Sequence, residues 1–451
     1  MTSTAFRSRR PRRVLFAAAG VAALAVGLTA CAPGSNSSGG AETEEITAEV
    51  TPEQVAELGD ITLTGWADVA EQGLMEQFIP RFEDEYPNVT VDMQYKSFND
   101  LIATVVNAAN SEDAPDVFQG NIGYAVDGAL VEAGLVRPLD DVAEVYGWDS
   151  DAAADTLAPA RWNEDGTRFG SGTLYGMSVI TEVQGIYYNK AKLEALGLEV
   201  PQSIDELEAA LPVAAAAGEQ PIMLGNADQY AAMHLYSDIA AAEQDPQDIR
   251  DWVFGEKDAT FATEGNLAAA ERIADWAQQG WLGEGYDGIG NEDAIARFAD
   301  GEGVFFVGGS WNGAKLTDAP APGFGMSALP DGGVGAIASP WHISSNSDAS
   351  PAAIAFLDML RTPETAQEIV DTGRLPVLLE GVSGKGELES ETLAVADATI
   401  AAGGQVGYYD WTTTDMFSVM GGALQELMAG RITAEEFADT VQADWEGTYA
   451  G

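Results

Sequence analysis

The sequence predicts an α/β protein of two lobes, and three observations predict it. Strand-like and helix-like segments alternate from residue 61 to residue 133, which is the pattern of a parallel sheet covered by helices. The chain has 451 residues, more than one ordinary hydrophobic core serves. Its apolar content of 46% is too high for a disordered acidic chain, despite a net charge of −51.

The first thirty residues read as an export signal. Arg7, Arg9, Arg10, Arg12 and Arg13 precede the apolar run from Val14 to Ala30, which ends in small residues. That run is short for a spanning helix, so an uncleaved membrane anchor is the lesser alternative. Leu28-Thr29-Ala30-Cys31 resembles the lipobox of bacterial lipoproteins, in which the cysteine is lipidated, and Cys31 is the single cysteine of the chain. The Arg-rich start also resembles a twin-arginine signal, so the export route stays open. Residues 31–59 are assigned as the lipidated Cys and a Gly-, Ser- and Glu-rich flexible tether.

The elements then follow in order. Ile61 to Trp66 is a β-branched strand, and residues 73–86 carry Leu74, Phe78, Ile79 and Phe82 at helical spacing, with Pro80 as a possible kink. Residues 89–93 alternate like a strand, residues 99–109 form a helix, and Asp116-Val117-Phe118 forms a third strand. Residues 125–133 form a short helix closed by Gly134. Further strands are expected at 185–188 and 304–307, and helices at 203–211, 266–280, 352–360, 363–371 and 433–446. Ser203 with Glu206, and Thr433 with Glu436, have the spacing of capping boxes.

Composition excludes several functions. A surface this acidic does not grip nucleic acid, and it repels anionic ligands while tolerating neutral ones and favouring cations. Adaptation to high salt would explain the acidity equally well. One cysteine and two distant histidines, His234 and His342, rule out an internal disulfide, a Cys-rich zinc site and an HExxH site. Each histidine reads as structural or surface rather than catalytic. Residues 283–288 spell GxGxxG but follow a helix, so they read as a loop and not a dinucleotide site. No P-loop, GxSxG elbow or EF-hand pattern occurs. No cofactor, metal or catalytic residue is expected.

The ten tryptophans are the informative residues. Trp66, Trp311, Trp341 and Trp411 sit at strand ends or turns beside Gly, Ser, Pro or Asp. A flat ring there can stack on the C–H face of a sugar, with amides and carboxylates bonding the hydroxyls. The alternative for each is a core or interdomain position. Trp276 and Trp445 lie in helical patterns and read as core.

The ordered set of segments resembles the extracellular solute-binding proteins of ABC transporters, in the group that includes the maltose-binding and other sugar-binding proteins. The segments are ITLTGWAD, FEDEYPNVTVDMQY, Ala114-Pro115-Asp116-Val117-Phe118, Gly185 to Lys190 with its YYNK, and Ala299 to Phe306 followed by Gly309-Ser310-Trp311. The resemblance covers about residues 60–450. It implies a two-lobed periplasmic-binding-protein-like fold with a hinge and an interlobe ligand cleft. Lobe one is placed at 60–175 and 333–378, lobe two at 176–332 and 379–451. By position, the resemblance implies ligand contacts at Trp66, Asp68, Gln119, Asn121, Glu182, Asn226, Tyr230, Trp311, Trp341, Asp410 and Trp411. Arg374 either reaches the cleft or forms a surface ion pair. The implied partners are a carbohydrate, permease subunits, and the membrane through the lipid on Cys31. A monomer is expected.

The leading function is therefore capture of a carbohydrate, an oligosaccharide in the first instance, for an importer at the outer face of the cell membrane. A receptor for another small solute such as a polyamine is the alternative within the family. A secreted glycoside hydrolase and a lipoprotein adhesin are the alternatives outside it.

Overall fold

Among the described residues, twelve strands carry the architecture. They are β1 (Ile61–Asp68), β2 (Val89–Lys96), β3 (Val117–Gln119), β4 (Arg161–Trp162), β5 (Thr173–Leu174) and β6 (Ile180–Asn189). The rest are β7 (Ile222–Met223), β8 (Phe305–Gly309), β9 (Phe324–Ser327), β10 (Gly335–Ile337), β11 (Trp341–Ile343) and β12 (Leu375–Pro376). This is a computed structural model, and it describes residues 45–449 apart from 151–152, 164–165, 318, 322, 329–333 and 338. The export signal and Cys31 lie outside the described residues.

The first sheet has the order β11-β3-β1-β2. β1 pairs in parallel with β2 from Ile61↔Val89 to Asp68↔Lys96, and with β3 at Trp66↔Phe118. β11 closes the edge antiparallel, at Trp341↔Gln119. Leu63, Gly65 and Ala67 alternate inward along β1. They meet the helix Gln72–Glu85, which buries Leu74, Met75, Phe78 and Phe82. That helix runs through Pro80 without ending. Phe78, Phe82 and Trp341 pack around Phe356 of the helix Ser350–Leu360 to complete the core of this lobe.

The second sheet is mixed rather than parallel. Its order is β10-β6-β8-β7, and β9 and β12 also pair with the ten-residue β6. Two apolar clusters serve it. One gathers Tyr236, Phe261, Phe437 and the stacked pair Trp252 and Trp445, whose ring centroids are 5.0 Å apart. The other gathers Tyr187, Phe298, Phe306 and Phe324. Trp276 and Trp445 are buried as expected. Thr433 and Glu436 form the reciprocal capping box, at 3.2 and 2.9 Å. Ser203 caps Glu206 N–H at 3.2 Å, but the Glu206 carboxylate takes the N–H of Gln202 instead of that of Ser203.

Two boundaries move. The tether does not extend to residue 59: Thr51 caps a short helix, Pro52–Ala56, whose Val55 is fully buried in the first core. Ile46 N–H also donates to Asp141, at 2.8 Å. The return to lobe one does not begin at 333, because β10 pairs with β6 at Ala336↔Glu182. The chain re-enters the first sheet only at β11.

Gly123 sits where the loop after β3 meets the second lobe. Its φ is +100°, and a Cβ there would lie 2.8 Å from the carbonyl oxygen of Trp411. Gly123→Ala is expected to cost about 1–3 kcal/mol, through left-handed backbone strain and backbone contact together. A urea titration checks this; a loss under about 0.5 kcal/mol would refute it.

Candidate functional site

The site begins at the carboxyl ends of β1 and β3, where open α/β sheets leave a crevice. Asp68 ends β1, and its N–H donates to Gln119 Oε1 at 2.8 Å. Its carboxylate accepts the N–H of Ala70 at 2.9 Å. Glu71 follows on a single 3-10 turn and is 3% exposed. From the far side of the fold, Arg374 places Nη1 3.2 Å from Glu71 and Nη2 3.3 Å from Glu182 on β6. Arg374 is 6% exposed, so it is a buried bridge between the two sheets and not a surface ion pair.

Charge is crowded here. Burial pushes Glu182 up to about 7; Arg374 opposes the shift, and Glu71 and Asp68 add to it. Burial raises Asp68 and Glu71 too, again against Arg374. For Arg374, burial works against the charge, and Glu71, Glu182 and Asp68 outweigh it.

The sign of the Glu182 effect can be tested. Its native pKa lies above the ordinary 4.5, so the native state holds the extra proton between about 4.5 and 7. Stability from this group is therefore lost as pH rises through that window. Relative to the wild type, Glu182→Gln should gain about 2–3 kcal/mol between pH 4.5 and pH 8. Urea unfolding of both proteins across that range measures it, and parallel curves would refute it.

Beside the carboxylates lies an aromatic group. Gln184, two residues along β6 and so on the same strand face as Glu182, hydrogen-bonds His234 Nδ1. His234 stands on the helix Tyr230–Glu243, and its ring lies 5.6 Å from Tyr230, 5.1 Å from Trp311 and 4.9 Å from Tyr408. Burial holds its imidazole down at about 3, so it is neutral at physiological pH. Trp311 lies back over Gly309, where a Cβ would fall 1.7 Å from the indole. That glycine is what allows the ring to take this position.

The other expected residues divide. Gln119 is buried beneath Asp68, and Asn121, half-buried, donates its N–H to Asp127 at 2.8 Å. Trp66 is half-buried, with Lys96 Nζ 3.8 Å from its ring centroid. Asp410 is half-buried, and burial pushes it up to about 6. Trp411 is 4% exposed and packs on Tyr408 at 5.3 Å. Two residues are placed elsewhere. Asn226 is 1% exposed; its Nδ2 donates to Asp287 at 3.1 Å and its Oδ1 accepts Ala232 N–H at 3.0 Å, at the start of the helix Tyr230–Glu243. Trp341 is 0% exposed, deep in the first core.

Residues 77–390 match the family of bacterial extracellular solute-binding proteins. The chain belongs to that family. This solute-binding protein is a binding component by membership, and its family acts outside the cell. No curated protein matches it in sequence. Solved structures share its fold. One, from work on xylan utilization by the thermophilic bacterium Caldanaerobius polysaccharolyticus, is 23% identical with a TM-score of 0.72, covering 85% of this chain and 99% of that one. A chitin oligosaccharide binding protein is 20% identical with a TM-score of 0.72, covering 86% and 99%. The GacH receptor of Streptomyces glaucescens, solved unliganded and with acarbose, is 20% identical with a TM-score of 0.66, covering 87% and 99%. The solute-binding protein thus has the two-lobed fold of these receptors, with a hinge and a cleft between the lobes. Among its described residues, no helix is long and apolar enough to cross a membrane, and no cluster of three or more His, Cys, Asp or Glu could hold a metal.

Sequence reasoning missed Glu71, Gln184, His234 and Tyr408. Two had a readable signal: Gln184 is two residues from Glu182 on a strand, and His234 is four from Tyr230 on a helix. Glu71 and Tyr408 had only proximity in the chain, to Asp68 and to Asp410 and Trp411.

Proposed function

We propose that the chain is the lipid-anchored receptor of an ABC importer, and that its solute is a carbohydrate, an oligosaccharide in the first instance. One observation carries this reading. Tyr230, Trp311 and Tyr408 pack around His234, and Tyr230 and Tyr408 lie near enough to Glu182 to feel its charge, as Tyr230 does to Asp68. Rings cover the apolar C–H face of a sugar, and carboxylates accept its hydroxyls. Structural neighbours are described with raffinose, with cycloalternan and with acarbose, which supports the same ligand class.

The ligand-contacting set is Trp66, Asp68, Gln119, Asn121, Glu182, Tyr230, Trp311 and Asp410, with Trp411 as backing. Lobe one comprises about 45–175 and 339–374, and lobe two about 176–338 and 375–449. A ligand that touches both lobes binds the closed form more tightly, and closure reports occupancy to the permease. Cys31 carries the lipid. Metabolic labelling with a radioactive fatty acid, lost in Cys31→Ser, tests the anchor.

Thermal shift against neutral oligosaccharides and polyamines tests the ligand. A sugar at about 100 times Kd adds roughly 2.7 kcal/mol and raises Tm. A shift with polyamines and none with any sugar would reject the carbohydrate reading. Sugar recovered as fragments would mean a hydrolase.

A further inference from the structure

We propose that the carbohydrate carries a protonated amine, and that this amine seats against Asp68, Glu71 and Glu182. The inference rests on the carbohydrate reading and narrows it.

The argument starts from charge. Three carboxylates surround one guanidinium, and that guanidinium is already committed. Arg374 Nη1 contacts Glu71 at 3.2 Å and donates to the Ala70 carbonyl at 3.4 Å, and Nη2 contacts Glu182 at 3.3 Å. Lys315 also acts on Asp68, and Glu292 holds it at 2.6 Å, while Lys96, opposite Asp68 in the sheet, lies over the Trp66 ring. The group is thus short of positive charge in a place largely removed from water, where unpaired charge is costly.

Unused hydrogen-bond capacity points the same way. Glu71 is 3% exposed, and its Oε2 has no hydrogen-bond partner. The missing partner is a donor. A sugar hydroxyl would fill one acceptor and leave the excess charge in place. An ammonium fills it and balances the charge, with a shorter and stronger bond. A phosphorylated or carboxylated sugar would be repelled.

Binding should also be coupled to protons. The groups facing Glu182 are Arg374, Glu71, Asp68, Tyr230 and Tyr408. An ammonium arriving here favours the ionised carboxylates, so the complex releases protons that the free protein holds near neutral pH.

The test is calorimetry on the full-length chain at pH 7. The probes are tetrasaccharides of glucosamine, N-acetylglucosamine and glucose, each in α-1,4 and β-1,4 linkage, with spermidine as the amine without a sugar. The glucosamine member of one linkage is expected to bind about tenfold or more tighter than its two neutral counterparts. Repeating that titration at pH 5.5, where the glucosamine amines already carry their protons, in buffers of different ionisation enthalpy should show proton release. Glu71→Gln should bring the affinity ratio towards one; Asp68→Asn, at the half-exposed mouth of the group, should do the same if the first variant folds poorly. Neutral tetrasaccharides binding as tightly as their amine counterparts would overturn the inference and leave the carbohydrate reading standing. Spermidine binding with no sugar binding would overturn both, and no binding by any probe would overturn the inference.

Discussion

Arg374→Met is expected to destabilise the protein by about 3–5 kcal/mol at pH 8, because it strands two buried carboxylates. Glu71 and Glu182 are both raised by burial, and Arg374 is the group that opposes that shift in each. Without it, both carboxylates would hold protons more strongly still. Their native pKa values would move further above the unfolded ones, so the loss should be largest at high pH and should shrink towards pH 5. Urea unfolding at the two pH values measures the difference. Adding Glu182→Gln to Arg374→Met should restore part of the stability, since one stranded charge is then gone. A loss below about 1 kcal/mol at pH 8, or one independent of pH, would show that Arg374 does not neutralise these groups.

The second large effect separates two tryptophans. Trp311→Ala should weaken oligosaccharide binding by about 2 kcal/mol or more, roughly thirtyfold, as loss of an aromatic anchor does. Its effect on stability should stay within about 1 kcal/mol, since the ring is half-buried against His234. Trp341→Ala should do the reverse. Its ring is 0% exposed and packs edge-on against Phe356 at 5.8 Å. Removing it leaves a core cavity and costs about 3–5 kcal/mol of stability. Isothermal titration and urea unfolding on both variants decide the matter. Binding lost in Trp341→Ala at temperatures where it is folded, and kept in Trp311→Ala, would reverse the two roles.

These tryptophans show where sequence reading stops. Trp311 and Trp341 have the same local signature: each follows a small or turn-forming residue at the edge of a strand-like run. Trp341 faces inward because β11 pairs with β3 and lies over the helix Ser350–Leu360. Trp311 follows β8, and its ring folds back over Gly309 towards His234. Asn226 shows the same limit. Its amide serves as a brace at the start of a helix, a role only the fold reveals.

Local pattern was enough for much of the scaffold. Alternation along Ile61–Asp68, the 3.6-residue spacing of Leu74, Phe78 and Phe82, and the Thr433–Glu436 capping box are interactions between near neighbours, and the chain alone specifies them. The order of family segments from ITLTGWAD to Gly309-Ser310-Trp311 likewise sufficed to indicate two lobes and a cleft. Tertiary structure decided what the cleft contains. Arg374 and Glu182 are 192 residues apart, and no periodicity links them. They meet because β12 pairs with β6 at Leu375↔Thr181, which delivers the guanidinium to the carboxylates. Burial then sets the charge of the whole group, and burial belongs to the packed chain, not to any stretch of sequence.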